Sequence, residues 1–202
     1  HSIRPLILGQ KDNSYIISSE SISISSIDYK IIDDIYNNEL LIFNDNKLEI
    51  LKIKSKQLPF KPCIFEWIYL AREESILYGV NVYQSRLKMG EYLGNKIKKI
   101  VNIDDIDLVI PVPDTSKPAA LQLSKVLHKP YYEAITKNRY INRTFIMDSQ
   151  LKRTKNIKRK LNVVKEMIFN KNILIVDDSI VRGNTMKHII DLLKNNNVNK
   201  IF

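Results

Sequence analysis

The sequence predicts an α/β fold with a central parallel sheet, preceded by a β-rich segment. Two apolar runs, residues 108–112 and 173–176, have the length and the aliphatic composition of strands buried on both faces of a parallel sheet. Each run continues through a short polar turn into a helical pattern, which is the usual connection between parallel strands. The first 57 residues contain shorter apolar runs separated by turn residues, which is typical of a β-rich segment.

The β-rich segment carries no catalytic cluster of its own. Turn residues such as Gly9 and Asp12 separate its expected strands, which lie at residues 6–8, 15–18, 40–43 and 48–53. Residues 57–62, QLPFKP, contain two prolines, which disfavour both helix and ladder pairing. We therefore expect a first domain at residues 1–57 and a second at residues 58–202.

An amphipathic helix is expected within the second domain at residues 83–100. Its apolar positions, Leu87, Leu93, Ile97 and Ile100, keep approximate helical spacing. The apolar run at residues 108–112 leads into another helix, in whose first turn Pro118 fits because the missing N–H costs nothing there.

Residues 171–193, KNILIVDDSIVRGNTMKHIIDLL, contain in direct succession an apolar strand, a pair of acids, a turn of small residues and the start of a helix. Asp177 and Asp178 mark the carboxyl end of its predicted strand. The helix that follows has Asn184 or Thr185 as its expected N-cap, and its apolar stripe consists of Met186, Ile189, Ile190 and Leu193.

This strand, loop and helix suit an anionic ligand. Ligands of such units sit outside the carboxyl ends of the strands, and the N–H groups at a helix N-terminus attract phosphate. Gly183 allows close backbone approach, and the hydroxyl of Ser179 adds a donor. The two carboxylates would repel phosphate, so they are expected to accept hydrogen bonds from sugar hydroxyls or to bind a divalent cation. The structural alternative is an acidic strand end followed by a capped turn.

The amino-acid composition narrows the possible classes of protein. The 202 residues are 44% apolar, which is ordinary for a globular core. No apolar run approaches the roughly 20 residues that span a bilayer, and Cys63 is the single cysteine, so a cytoplasmic protein without a disulfide framework is expected. The net charge of +10 alone would suggest a polyanion as partner, but lysine is frequent throughout the chain. The sequence starts with His1 and ends in an apparent strand, so we expect an internal fragment of a longer protein.

VDDSIVRG, residues 176–183, closely resembles the binding loop for 5-phosphoribosyl-1-pyrophosphate (PRPP) in type I phosphoribosyltransferases. More narrowly, it resembles the loop of the amidophosphoribosyltransferase family, the glutamine-dependent enzymes of the first committed step of purine synthesis. IRPLILG and YIISSES near the start, and CIFEWIYLAREES at residues 63–75, resemble the same family in the same order. The resemblance implies a type I phosphoribosyltransferase fold after residue 57, and before it the end of an N-terminal-nucleophile glutaminase domain.

The resemblance also implies roles for individual residues. Mg²⁺ is expected at Thr115, Asp177 and Asp178. The residues expected to bind PRPP are Asp177, Asp178, Ser179, Ile180, Val181, Arg182, Gly183, Asn184 and Thr185.

The basic stretch at residues 137–162 resembles the active-site loop that closes over PRPP in this family. In it Arg143 and Lys160 are the expected catalytic cations. The loop departs from the family pattern at Asp148, Ser149, Leu151 and Lys152, which leaves its hinge undefined. A solvated charge run is the alternative interpretation.

The reaction implied by the family is the displacement of pyrophosphate from PRPP by ammonia from glutamine, which gives 5-phosphoribosylamine and glutamate. The family places its glutaminase nucleophile upstream of this sequence, so the chain alone is expected to be inactive. Cys63 stands where iron-sulfur members have a [4Fe-4S] ligand, and a buried free thiol is the alternative. The partners implied are PRPP, glutamine, inhibitory purine nucleotides and further copies in a homo-oligomer, a dimer or tetramer, without nucleic acid or membrane.

Two other functions fit parts of the sequence. A salvage phosphoribosyltransferase would keep the PRPP loop but would lack the glutaminase-like first 57 residues. A non-catalytic PRPP-sensing regulator that binds nucleic acid could keep the acidic pair, but it would not need Arg143 and Lys160.

Overall fold

The computed structural model describes residues 3–44, 47–52, 59–138 and 161–202. The chain divides into two units, His1–Ser85 and Arg86–Phe202. The domain boundary predicted at residue 57 lies outside the described residues and stays a prediction. Residues 59–85 belong to the same unit as the β-rich segment.

The first unit is β-rich, as predicted. Strand β1 (Ile7–Lys11) pairs antiparallel with β2 (Ser14–Ser18) on one side and with β3 (Lys30–Asp34) on the other. Ile7 of β1 packs with Ile24 of helix α1 (Ser21–Ser25) in a small core. The remaining elements of this unit are the hairpin β4 (Glu39–Asn44) and β5 (Lys47–Lys52), a π-helix (Glu66–Leu70), and the hairpin β6 (Ile76–Leu77) and β7 (Val80–Asn81).

The second unit contains the predicted parallel sheet. Its order is β12–β11–β8, and β11 (Asn172–Val176) pairs parallel with both β8 (Leu108–Pro111) and β12 (Lys200–Ile201). The other elements are the helices α2 (Val82–Ile97), which begins in the first unit, α3 (Lys117–Leu127), α4 (Lys165–Ile168) and α5 (Asn184–Lys194), the 3-10 turn Ile103–Asp105, and the hairpin β9 (Ile135–Lys137) and β10 (Leu161–Val163).

Helices cover both faces of the parallel sheet. Ile110 and Ile173 pack in one core cluster with Ile189 of α5. Val109 and Leu174 pack in the other, with Leu123 of α3. Alternate strand residues point to opposite faces, so β8 and residues Ile173–Val176 of β11 are apolar at every position, which is the pattern that identified them.

The first helix of this unit is shorter than predicted. α2 ends at Ile97 rather than at Ile100. The N–H groups of Lys99 and Ile100 donate to carbonyls three residues earlier, which tightens the last turn, and Ile100 is 71% exposed. No helix among the described residues has the length and apolar character to cross a membrane.

Helix α2 approaches α3 closely because two glycines face it. A Cβ at Gly90 would lie 2.1 Å from the carbonyl oxygen of Ala119, whereas a Cβ at Gly94 would lie 2.9 Å from a methyl group of Val126. The first neighbour is backbone and the second is a side chain. The position of α3, and of the loop at its N-terminus, therefore depends on Gly90.

Gly90→Ala is expected to lower the free energy of unfolding by about 2 kcal/mol or more, because the backbones of α2 and α3 must separate to admit the methyl group. Gly94→Ala is the matched control and should stay within about 1 kcal/mol of the parent, since the Val126 side chain can shift and alanine favours the helix by about 1 kcal/mol. Chemical denaturation measures both. Equal losses would show that the Gly90 contact does not set the helix spacing.

Candidate functional site

Two loops meet at the carboxyl edge of the parallel sheet. The loop at residues 112–116 follows β8, and the loop at residues 177–183 follows β11. Val176 lies opposite Pro111, so the two strands end at the same level. The N–H of Val112 donates to the carbonyl of Val176 at 2.8 Å, which carries the pairing one residue further into the loops.

A direct side-chain hydrogen bond joins the two loops. The hydroxyl of Thr115 donates to one carboxylate oxygen of Asp178, and the hydroxyl of Ser179 donates to the other. Thr115 and Asp178 are 63 positions apart in the sequence. The structure thus brings Thr115 into contact with Asp178, two of the three residues predicted to bind a metal, and the third, Asp177, directly precedes Asp178.

Asp177 lies in a different environment from an ordinary surface carboxylate. Burial raises its pKa above the usual 3.8, the N–H of Asp178 opposes that rise by hydrogen bonding, and the charge of Asp178 adds to it. The hydrogen bond from Asp178 N to Asp177 Oδ1 measures 2.9 Å. Asp177 is therefore a carboxylate that would gain from a cationic or hydrogen-bond-donating ligand.

The loop after β11 presents its tip to solvent. Ile180 and Val181 are 71% and 82% exposed, and Arg182 is exposed too. Gly183 follows with a φ of +71°, a conformation that L side chains rarely adopt. The remaining predicted PRPP-binding residues, Asn184 and Thr185, are exposed in the first turn of α5.

The predicted N-cap of this helix is wrong by one or two residues. Gly183 occupies the N-cap position, whereas Asn184 and Thr185 belong to the helix. No side chain caps the N-terminus of α5. The left-handed conformation at Gly183 determines this start, and it leaves N–H groups of the first turn available for an anion.

The loop after β8 is built from hydroxyl and acidic residues. Its Pro113–Asp114 peptide bond is cis. The buried hydroxyl of Ser116 donates to the carbonyl of Val112, which fixes the turn into α3, and Pro118 stands in the first turn of that helix as predicted. Asp114 forms an ion pair of 2.8 Å with Lys137 at the end of β9.

Sequence reasoning missed Asp114 and Lys137 as neighbours in this site. Lys137 is the first base of the basic stretch and the last residue of β9, and its place at the start of that stretch was the available signal. Arg143 and Lys160, the predicted catalytic residues, lie in the range 139–160, outside the described residues, as do Asp148, Ser149, Leu151 and Lys152. The positions on either side of this range meet in the β9–β10 hairpin, where Lys137 lies opposite Leu161.

The oxygen donors of the site fit a cation that also binds oxygen atoms of a ligand. Within the described ranges, no three His, Cys, Asp or Glu side chains gather to hold a metal alone. Thr115, Asp177 and Asp178 supply one hydroxyl and two carboxylates, which are hard oxygen donors. Mg²⁺ commonly binds one or two carboxylates and completes its shell with water and substrate oxygens.

Comparisons with known proteins agree with this geometry. The family model described as phosphoribosyl transferase domain matches residues 84–201. The amidophosphoribosyltransferase of Haemophilus influenzae is 41% identical over 206 residues, which are 99% of this chain and 41% of that protein. The amidophosphoribosyltransferase of Escherichia coli is 37% identical over 207 residues, 100% of this chain and 41% of that protein. The chain thus spans about two fifths of the length of these relatives.

A solved structure shares the fold. The glutamine PRPP amidotransferase from B. subtilis complexed with ADP and GMP superposes with a TM-score of 0.84 at 31% identity, and the match covers 98% of this chain and 42% of that chain. The predicted type I phosphoribosyltransferase fold and the predicted resemblance are confirmed.

Asp177→Asn is expected to raise the free energy of unfolding at neutral pH without ligand. The amide avoids a buried charge, and its oxygen can still accept the N–H of Asp178. Because the folded-state pKa lies above the unfolded value, the folded protein binds more protons between the two values, and the parent loses stability as pH rises through that window. The advantage of the variant should persist above the window and vanish below about pH 3.8. Thermal unfolding across pH tests this.

Asp178→Asn is the matched control for that experiment. It leaves one of two hydroxyl donors, Thr115 or Ser179, without its acceptor, so a loss of about 1 kcal/mol is expected. Destabilisation of the same size by Asp177→Asn would contradict the assigned burial effect.

Proposed function

The chain belongs to the phosphoribosyl transferase domain family, and we propose that the paired loops after β8 and β11 bind PRPP. The observation that carries the proposal is the hydrogen bond from Thr115 to Asp178. It places a hydroxyl loop, a carboxylate pair and an uncapped helix N-terminus at one sheet edge. A sugar that carries phosphate at two positions matches these three features.

Each part of the site suits a different part of PRPP. Asp177 and Asp178 offer carboxylate oxygens, which accept hydrogen bonds from ribose hydroxyls but repel phosphate. The 5-phosphate is assigned to the N-terminus of α5, with donors from Ser179, Arg182, Gly183, Asn184 and Thr185, while Ile180 and Val181 complete the loop around it. The diphosphate is assigned to the loop after β8.

Thr115, Asp177 and Asp178 would hold Mg²⁺ together with oxygens of the substrate. When bound, the ion offsets negative charge on the diphosphate as that group departs. The chain's own residues fix the ribose, and Asp178 is oriented for this by two hydroxyl donors.

Arg143 and Lys160 are proposed as the cations that stabilise the leaving pyrophosphate. Supporting this, the described residues next to their range lie at the site, because Lys137 pairs with Asp114 and lies opposite Leu161. In the transfer, ammonia donates its lone pair to the anomeric carbon while the bond from that carbon to the diphosphate oxygen breaks, and the nitrogen then loses a proton. Neutral ammonia needs no general base.

The complete reaction is proposed to be glutamine-dependent. The matches to the amidophosphoribosyltransferases of Haemophilus influenzae and Escherichia coli cover 99% and 100% of the chain, and residues 1–57 are interpreted as the end of their glutaminase domain. The glutaminase nucleophile is then not Cys63, which is half-buried and whose N–H bonds to the carbonyl of Ile3. Cys63 is the single candidate in this chain for a ligand of a [4Fe-4S] cluster in the longer polypeptide, and such a cluster would take its other three thiolates from outside the 202 residues.

Regulation and assembly belong to the same proposal. The B. subtilis relative was solved with ADP and GMP, and we assign purine nucleotides as inhibitors here as well. A homo-oligomer, a dimer or tetramer, and a cytoplasmic location complete the assignment.

The double variant Asp177→Asn, Asp178→Asn should weaken binding of PRPP with Mg²⁺ by about 100-fold in the longer polypeptide, since each carboxylate loses a charged hydrogen bond worth about 1.5 kcal/mol. Titration calorimetry measures the affinity. Asp191→Asn, an exposed position on α5, is the control and should bind normally. Unchanged affinity in the double variant would contradict the site.

Arg143→Leu or Lys160→Leu should each reduce ammonia-dependent kcat by about 100-fold with a smaller effect on PRPP affinity, because a preorganised cation acts mainly as charge develops on the leaving group. Lys155→Leu and Lys165→Leu are the controls. Small and equal effects at all four positions would show that the basic stretch is only a charged surface without a catalytic role. That result would favour a PRPP-binding regulator over an enzyme.

A further inference from the structure

Two ion pairs join the start of α3 and the loop before it to residues 133–137. Lys117 Nζ lies 2.7 Å from Glu133 Oε2, and Lys137 Nζ lies 2.8 Å from Asp114 Oδ2. The pairs have opposite polarity, because the cation belongs to α3 in the first pair and the anion belongs to the loop in the second. The proposed function makes no use of the first pair.

Lys117 occupies an electrostatically unfavourable position. It is the first residue of α3 and directly follows Thr115 and Ser116 of the loop after β8. The N-terminus of a helix carries partial positive charge, so a lysine there gains from a nearby anion. In the structure Glu133 is that anion. The same position places Lys117 beside the loop to which the diphosphate of PRPP is assigned.

Glu133 is held in place without help from Lys117. The N–H of Tyr132 donates to the carbonyl of Val109 at 3.1 Å, which fixes the preceding residue against β8. The hydroxyl of Tyr131 donates to Glu133 Oε1 at 3.3 Å. On the other side, β9 pairs with β10. The carboxylate therefore keeps its place and one of its donors when the lysine leaves it.

The ion pair between Lys117 and Glu133 can be exchanged at little cost. The two side chains are 35% and 49% exposed, and ion pairs with this much exposure contribute little to stability because water solvates both charges. The lysine ammonium is a compact charge on a flexible stem, and it binds phosphate as a point charge. A diphosphate carries several negative charges, so it attracts this ammonium more strongly than the single charge of Glu133 does.

We propose that Lys117 is a further diphosphate-binding residue, which exchanges its ion pair with Glu133 for one with the diphosphate of PRPP. The proposal rests on the proposed function, because it takes the loop after β8 as the diphosphate site. Glu133 then competes with the substrate for the same ammonium. Lys117 raises the affinity for PRPP, and Glu133 lowers it.

The test compares Lys117→Gln with Glu133→Gln in the longer polypeptide, by titration calorimetry with PRPP and Mg²⁺. Lys117→Gln should weaken PRPP binding by about tenfold, which is the effect of losing one hydrogen bond to a charged group. Glu133→Gln should strengthen binding by about threefold, because the competing carboxylate is replaced by a neutral amide. Both variants break the same ion pair, so a merely structural pair would shift the affinity in one direction only.

Lys125→Gln is the matched control. Lys125 is an exposed residue in the last turn of α3, and its replacement removes the same charge from the same helix. Its PRPP affinity should stay within about twofold of the parent, since salt screens a distant exposed charge. Ribose 5-phosphate is the second ligand. It lacks the diphosphate, so it should bind to Lys117→Gln and to the parent alike.

Weaker PRPP binding in both Lys117→Gln and Glu133→Gln would overturn the proposal, and so would equal affinities of Lys117→Gln and Lys125→Gln. Equal weakening of PRPP and ribose 5-phosphate binding in Lys117→Gln would also contradict it, because the lysine would then not act on the diphosphate. A parent protein that binds no PRPP would instead contradict the proposed function.

Discussion

The hydrogen bond between Thr115 and Asp178 is the contact on which the candidate site depends. It is possible because β8 and β11 are parallel neighbours that end at the same level, which brings residues 63 positions apart into contact. Apolar packing on both faces of the sheet sets that level, with α5 on one face and α3 on the other. The site is thus a consequence of core packing, and Gly90 contributes from a distance by allowing α2 to approach α3.

The candidate site has one part that attracts anions, the N-terminus of α5, and one part that repels them, the carboxylate pair. A helix N-terminus attracts anions, whereas two adjacent carboxylates repel them, so one ligand group cannot satisfy both. A phosphorylated sugar can in the proposed arrangement, because its hydroxyls would face Asp177 and Asp178 while its phosphates would lie at the N-terminus of α5 and at the loop after β8. Burial raises the pKa of Asp177, so its ionised form is held at a cost in free energy. Ligand hydroxyls or a shared Mg²⁺ would relieve that cost.

Long apolar patterns were predictable from the sequence, and short or irregular elements were not. Strands β8 and β11 were identified because burial on both faces of the sheet leaves a continuous apolar run in the sequence of each. α1 was missed because SISIS alternates like a strand, although the hydroxyl of Ser21 and the buried Ile24 hold it as a helix. The α5 cap was misplaced because preferences for Asn and Thr hid the positive φ of Gly183. The Asp114–Lys137 pair needed tertiary structure, since no local pattern joins its members.

We propose that the two loops bind PRPP as one site. A double-mutant cycle with Thr115→Val and Asp178→Asn, measured as affinity for PRPP with Mg²⁺ by titration calorimetry, tests it most directly. Residues in contact typically show coupling of about 0.5 to 3 kcal/mol. Thr115→Val is expected to weaken binding in the parent but to have little further effect once Asp178 is replaced. Strictly additive losses would show two independent loops and would contradict the claim.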